Sequence, residues 1–354
     1  MVAILTDKKY ANSLWCKNLY ASLTATLRQK RIAFCEVFDT VPAECDKVFI
    51  IASDFEWTRT AIRQLNTGGI SPILLCNQSE HLPGCIYSCV CSDINTSMKN
   101  LLDTLKTDNK KRIALYGVNT NSIADISRVN SLFVWREEDI HTLEVFVNEG
   151  SLKNCFENFW RHIQEFDAVI CANDFTAVSL VRRLQEIAPE KLANLPIVSC
   201  AETKIAEYYR PYIRSLKMNF SQYGRAAVYI YEALKKHSYL SDMTVSVVWT
   251  LEEGSTPHKN REVLLDFAES DDNFYSDPEL QEMLIVDKLL SGLDNTDMLI
   301  LKALQNGEPY EKITDTCYLA EGSIKYRIKK MVSESGAKDK HELIGLIQKY
   351  QVTL

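Results

Sequence analysis

The feature that most limits what this chain can fold into is an alternation. Short apolar, β-rich runs are followed by longer stretches with helical spacing, again and again across residues 1–250. Val2–Thr6 and Lys47–Ser53 (KVFIIAS) lack polar alternation, the pattern of strands buried on both faces. Pro72–Cys76 and Tyr87–Cys91 continue the series. Between these runs, Leu14, Leu19, Leu23 and Leu27 recur at helical steps, and Trp57–Leu65 reads as a helix stopped by Gly68 and Gly69. After a helix around Ile94–Leu105, the basic stretch Asn109–Arg112 opens a second series. Its strands are Arg112–Gly117, His141–Val147, Ala168–Cys171 and Ile197–Cys200. Its helices are Ile123–Trp135, Leu152–Gln164 and Phe175–Glu186. A helix over Ser221–Lys236 and a strand over Thr244–Trp249 follow. Two consecutive βα series predict two parallel sheets flanked by helices, an α/β fold.

Sheets of this kind bind ligands at the carboxyl ends of their strands. Polar residues follow those ends here: Asp7, Asp54, Asn77, Asn119, Asn173 and Asp174. Asp and Asn at such positions also cap the next helix, a reading equally open for any one of them and less attractive for all six together. Trp15, Trp57, Trp135 and Phe175 are the nearby rings on which an apolar face of a ligand would pack, or else ordinary core.

Residues 251–289 change character: EEGSTPHKNRE and AESDDNFYSDPEL are polar, acidic and interrupted by proline, as suits a linker, with a short connecting helix at Leu280–Leu290. Residues 290–354 show helical patterns without strand signals, over Thr296–Gln305, Tyr310–Leu319, Gly322–Ser333 and Lys340–Tyr350. A small all-α domain is expected there.

Composition closes off several classes. Forty basic against forty-seven acidic residues give a net charge of −7, so no global positive field draws in nucleic acid or an anionic membrane. No apolar run reaches the ~18 residues of a membrane span, and the start has no basic region ahead of its apolar run. Eleven scattered cysteines, an odd number without C-x-x-C spacing, read as reduced thiols in a cytoplasmic protein. G-x-G-x-x-G, the P-loop, G-x-S-x-G and H-E-x-x-H are absent, so the sequence points to no enzyme, no cofactor and no metal.

Longer words carry a resemblance. FDAVICANDFTAVSLVRRLQE (Phe166–Glu186), LPIVSCAET (Leu195–Thr203), SLKMNFSQYGRAAVYIYEALKK (Ser215–Lys236) and RIALYGVNTNSIADISRVNSLFVW (Arg112–Trp135) resemble the effector-binding core of the lactose-repressor (LacI/GalR) family. That core shares its fold with periplasmic sugar-binding proteins. The resemblance implies a two-lobed, type I periplasmic-binding-protein-like domain over residues 1–250. Lobe 1 would take about 1–108 and 219–238, and lobe 2 about 110–217 and 241–250. It further implies that Asp174, in the Ala172-Asn173-Asp174 turn, and Arg128 contact a small polar effector, perhaps a sugar, in the cleft. Asp7, Trp15, Asp54, Asn119, Asn173 and Phe175 are the other expected ligand residues. The sequence departs from the family at Met218, where some members carry a polar contact, and at Ser131, where a glycine is usual.

The family's amino-terminal DNA-binding helices have no counterpart before Val2. Instead, Asp297–Ile347 resembles a LuxR/NarL-type helix-turn-helix, with a turn at Glu321-Gly322 before the recognition helix. On that helix Ile324, Ile328 and Met331 share one face. Ser323, Lys325, Tyr326, Arg327, Lys329 and Lys330 are then expected to meet double-stranded DNA. From residue 290 onward nine basic residues balance nine acidic ones, so useful affinity calls for a homodimer with two half-sites. The combined expectation is a ligand-responsive transcription regulator. The rival is a small-molecule-binding module whose last helices dock on a protein.

Overall fold

The computed structural model describes residues 1–8, 11, 14–38, 40–52, 54–76, 82–120, 122–200, 203–210, 212–237, 239–251 and 277–350. Asn77, part of the LPIVSCAET word and most of the expected linker lie outside the described residues.

The chain opens with β1 (Val2–Thr6), α1 (Leu14–Gln29), β2 (Phe34–Val37), β3 (Lys47–Ile51), α2 (Phe55–Thr67), β4 (Ile73–Leu75), β5 (Ser88–Asp93) and α3 (Ile94–Thr107). The second series is β6 (Arg112–Val118), α4 (Ile123–Val134), β7 (Thr142–Val147), α5 (Leu152–His162), β8 (Ala168–Cys171) and α6 (Asp174–Ile187). It continues with α7 (Pro189–Leu192), β9 (Ile197–Cys200), α8 (Lys204–Glu207) and β10 (Ile213–Lys217). Then come α9 (Phe220–Lys236), β11 (Thr244–Val248) and β12 (Thr250–Leu251). The tail holds α10 (Pro278–Gly292), α11 (Asn295–Gln305), α12 (Tyr310–Cys317), α13 (Glu321–Ser335) and α14 (Lys340–Lys349).

Two compact units result. The first contains a six-stranded sheet in the order β11-β5-β4-β3-β1-β2, and the second a sheet in the order β12-β10-β9-β8-β6-β7. β1, β8 and β9 are buried along their whole length and β3 from Val48 onward, which is why they read as unbroken apolar runs. One expectation is corrected: β11, assigned to lobe 2, pairs in parallel with β5 of the first sheet, from Thr244↔Cys89 to Val248↔Asp93. The chain thus re-enters the first unit with α9 and keeps its next strand there.

The tail is no separate body. One continuous hydrophobic core runs from Ala114, Phe159, Val181 and Ile205 through Leu280, Met283 and Val286 of α10 to Ile300, Ile324, Ile328 and Leu343. The second unit and the four last helices are therefore packed as one.

At Gly117 the register of β6 against β7 shifts. Gly117 has φ +74°, and a Cβ there would sit 2.6 Å from Thr176 Cγ2. The bulge lets β6 end beside the start of α6. Gly117→Ala is expected to remove about 2 kcal/mol of stability through left-handed strain and crowding. A urea titration reads this; an unchanged midpoint would contradict the account.

Candidate functional site

Both sheets use the same strand order, and that order fixes where ligands are met. When the first strand lies between the second and third, the crossover direction reverses between first and third. A crevice then opens at their carboxyl ends. That point falls between β1 and β3 in the first unit and between β6 and β8 in the second. Asp7 follows β1 and Asp54 precedes α2 after β3. Asn119 follows β6, and Asn173 and Asp174 follow β8.

In the first unit Asp7 is buried, and its carbonyl accepts the Ala11 N–H at 2.9 Å. Asp54 caps α2: its Oδ1 accepts the Trp57 N–H at 2.9 Å. Trp15 lies half-buried in the first turn of α1, and Trp57 packs against the unit's core.

The second unit has the denser network. The Asn119 N–H donates to Asp125 Oδ2 at 3.0 Å. Arg128 Nη1 donates to Asp125 Oδ1 at 2.9 Å and to the Ala172 carbonyl at 2.7 Å. One guanidinium thereby ties the ends of β6 and β8 together. Burial pushes the Asp125 carboxyl above its ordinary value, while the Arg128 charge and its hydrogen bonds pull it back. A recess of about 20 Å³ lies here, lined by Val118, Asp125, Arg128, Leu132, Ala172 and Cys200. That is room for about one water.

Asn173 closes a capping box with Thr176, accepting its N–H at 3.1 Å. Asp174 is completely buried. Its Oδ2 accepts the Thr203 N–H at 2.7 Å and the Thr203 hydroxyl at 2.9 Å, while Oδ1 accepts the Ser199 hydroxyl. The carboxylate holds the β9–α8 connection against the start of α6. Phe175 packs on the unit's core.

Beside this edge runs α10, and three of its carboxylates reach back. Asp277 caps α10 through Oδ1 and accepts the Leu152 N–H at 2.7 Å through Oδ2, so it serves the starts of α10 and α5 together. Glu279 accepts the Ser179 hydroxyl at 2.8 Å and pairs with Arg183 at 2.5 Å. Asp287 accepts the Ile205 N–H at 2.9 Å, two residues past Thr203. At the far end, Tyr350 donates to Glu282 at 2.7 Å. Its carbonyl takes the Tyr209 hydroxyl at 2.8 Å, and Arg182 lies 4.5 Å over its ring. The helices of the tail are thus attached to the starts of α5 and α8, which follow β7 and β9, and to α6.

On α13, Ile324, Ile328 and Met331 are buried as the spacing required. The turn before it is Tyr318–Ala320, with Tyr318 left-handed, and Glu321-Gly322 already belongs to the helix. Ser323, Lys325, Tyr326, Lys329 and Lys330 are exposed. Lys325 pairs with Glu321 at 2.6 Å and Lys330 with Glu334 at 3.8 Å. Arg327 behaves differently: it bridges Asp294 at 2.9 Å and Asp297 at 2.7 Å, the two members of the α11 capping box. Tyr318, 92% exposed beside this face, was not expected there.

Sequence reasoning missed Asp125, Thr203, Asp277, Glu279 and Asp287. Asp125 was readable, since it stands three residues before Arg128 on one helical face. The α10 carboxylates were not, because their partners lie 125 and 82 residues away for Asp277 and Asp287. Burial also pushes the Asp287 carboxyl up, against the pull of its N–H donors. Asp125 and Asp287 therefore hold a proton more tightly folded than unfolded, and stability falls as pH rises from 3.8 through their raised values. Asp125→Asn with Asp287→Asn is expected to flatten that fall in urea midpoints measured against pH. A slope as steep as the parent's would refute it.

Among the described residues no three His, Cys, Asp or Glu side chains form a group fit for a metal ion. All eleven cysteines are free thiols. No described helix is long and apolar enough to cross a membrane.

No protein-family model matches the chain, and no curated protein matches it. Solved structures do. The Lac repressor bound to ONPG in its repressed state aligns with 72% of this chain and 81% of that one, at 14% identity and TM-score 0.53. A LacI family transcriptional regulator from Enterococcus faecium with bound ribose aligns with 71% of this chain and 97% of its own, at 14% identity and TM-score 0.52. The Lac repressor dimer bound to operator and the anti-inducer ONPF aligns with 71% and 79%, at 14% identity and TM-score 0.52. At such identity the likeness speaks for architecture: this chain carries the α/β fold of LacI-type, type I periplasmic-binding-protein-like effector-binding domains, followed by a helical tail.

Proposed function

We propose that the chain is a ligand-responsive transcription regulator. A small polar effector, of the carbohydrate class bound by the ribose-containing neighbour, meets groups at the switch points of the two sheets. Asp7, Trp15 and Asp54 serve from the first; Asn119, Arg128, Asn173, Asp174 and Phe175 serve or shape the site from the second. Two copies then present α13 to double-stranded DNA. The observation that carries this reading is the attachment of α10 to helices that follow the second sheet's strands: Asp277 to the start of α5, Asp287 to the start of α8, and Glu279 to α6.

An effector acts here only by binding one arrangement of those loops better than another. A differential of ~1–3 kcal/mol changes operator affinity roughly 5–150-fold. Because α10 shares a core with α13, a shift of the loops is passed to the DNA-reading helix without a flexible joint.

Gel retardation with genomic fragments at two salt concentrations, with and without sugars that raise the melting temperature, tests the proposal. Retardation lost at high salt and altered by one such sugar is expected. Its absence at low salt favours the protein-docking reading, for which the exposed Tyr318 and Tyr326 speak. Ser323, Lys325, Tyr326, Lys329 and Lys330 touch DNA in this scheme, and Arg327 orients α13. Lys329→Ala is expected to lower the salt slope of log affinity by about one, the share of one phosphate contact. Arg327→Ala is expected to abolish retardation by freeing α13 from α11, visible as faster amide exchange in both helices.

A further inference from the structure

The second sheet's carboxyl edge contains one polar group that the fold leaves unused. Asn148 stands directly after β7, and its backbone N–H donates to the Val118 carbonyl at 2.8 Å, beside Asn119. The residue is 6% exposed. Both amide atoms, Oδ1 and Nδ2, are buried without a hydrogen-bond partner; among the described residues no other side chain has two such atoms. A primary amide offers two donors and an acceptor with two lone pairs, and burying all of them unmet opposes folding. Where a buried polar group lacks a partner, a ligand role is one of the few physical reasons for keeping it.

We infer that Asn148 is an effector-reading residue of the second unit. Resting on the proposed function, this assigns its amide to a neighbouring donor and acceptor on the ligand, as two adjacent hydroxyls of a sugar or polyol provide. The local chain suits the task. Gly150, at φ +81°, lets the short Asn148–Ser151 loop turn back sharply. The loop ends where Asp277 holds the Leu152 N–H. A ligand that draws the amide toward itself therefore pulls on the segment fastened to α10. No such coupling belongs to a residue that only fills space.

The test uses the full chain, with ribose, glucose, lactose and myo-inositol as probes in thermal unfolding. Asn148→Leu keeps the side chain's size and removes its polar atoms. Its melting temperature without probe is expected to equal or exceed the parent's, and any probe-induced rise is expected to vanish, for an affinity loss of about tenfold or more. A probe shift that persists overturns the inference and leaves the regulator reading standing. If no probe shifts the parent, a stabilised Asn148→Leu still supports an amide held at a cost, while the carbohydrate class falls. A destabilised one, with no probe shift in the parent, makes the amide structural and overturns the inference. Where Asn148→Leu is destabilised and also loses the shift, Asn148→Ala, which adds no bulk and no charge, decides: a weakened shift supports the assignment, and an undiminished shift refutes it.

Discussion

Asp174→Ala is expected to lose about 3–5 kcal/mol of folding stability, because a buried charge-assisted network is left without its acceptor. The Ser199 hydroxyl, the Thr203 N–H and the Thr203 hydroxyl all end on this carboxylate, and nothing at this fully buried position replaces them with water. Asp174→Asn should lose markedly less. Its amide oxygen still accepts from Thr203, and the Ser199 hydroxyl rotates to accept from the amide nitrogen, helped by Ser215 at 3.1 Å. Urea unfolding of the three proteins checks the order. Equal midpoints for the parent and Asp174→Ala would mean that these bonds contribute nothing. The pair also separates two roles. If Asp174 touches the effector directly, Asp174→Asn binds it weakly although nearly as stable as the parent. If Asp174 only fixes the β9–α8 connection, effector affinity follows stability.

Asp174 also shows what a sequence discloses. The strand before it, Ala168–Cys171, is apolar throughout because both faces are covered. A polar pair after such a strand marks the switch-point edge, so the position of the site was legible. What the carboxylate touches was not, since Ser199 and Thr203 lie 25 and 29 residues on. Strand β2 was missed because it is an edge strand with Glu36 exposed, and β10 because Arg214 and Lys217 interrupt its apolar run. Asn173 and Asp54 are helix caps, one of the two readings open for them. Arg327 looked like one more cation on a basic helix face. Its partners, Asp294 and Asp297, stand 33 and 30 residues earlier, beyond any local pattern. The connecting helix expected at Leu280–Leu290 lies within α10, but its docking was not legible: Leu280, Met283, Val286 and Leu289 are buried along it. Composition alone does not separate a linker from a helix whose charges are used for docking.

That docking makes Asp277→Ala the sharper functional test. The substitution removes the α10 cap and leaves the Leu152 N–H buried without an acceptor, so a loss of about 2–4 kcal/mol is expected. Asp277→Ser separates the two contributions, because a serine hydroxyl restores the cap while being too short to reach Leu152 as well. Its stability should fall between the parent and the alanine variant. If α10 passes the effector's signal to α13, Asp277→Ser retains DNA retardation, while the effector-induced change in retardation shrinks toward zero. In that case an effector that biases the loop after β7 loses its reach, because once that loop is unfastened from α10 its two arrangements no longer differ in their contacts with the tail. An effector response of undiminished size in Asp277→Ser would place the coupling elsewhere, with Glu279 on α6 and Asp287 at the start of α8 as the remaining fastenings of α10.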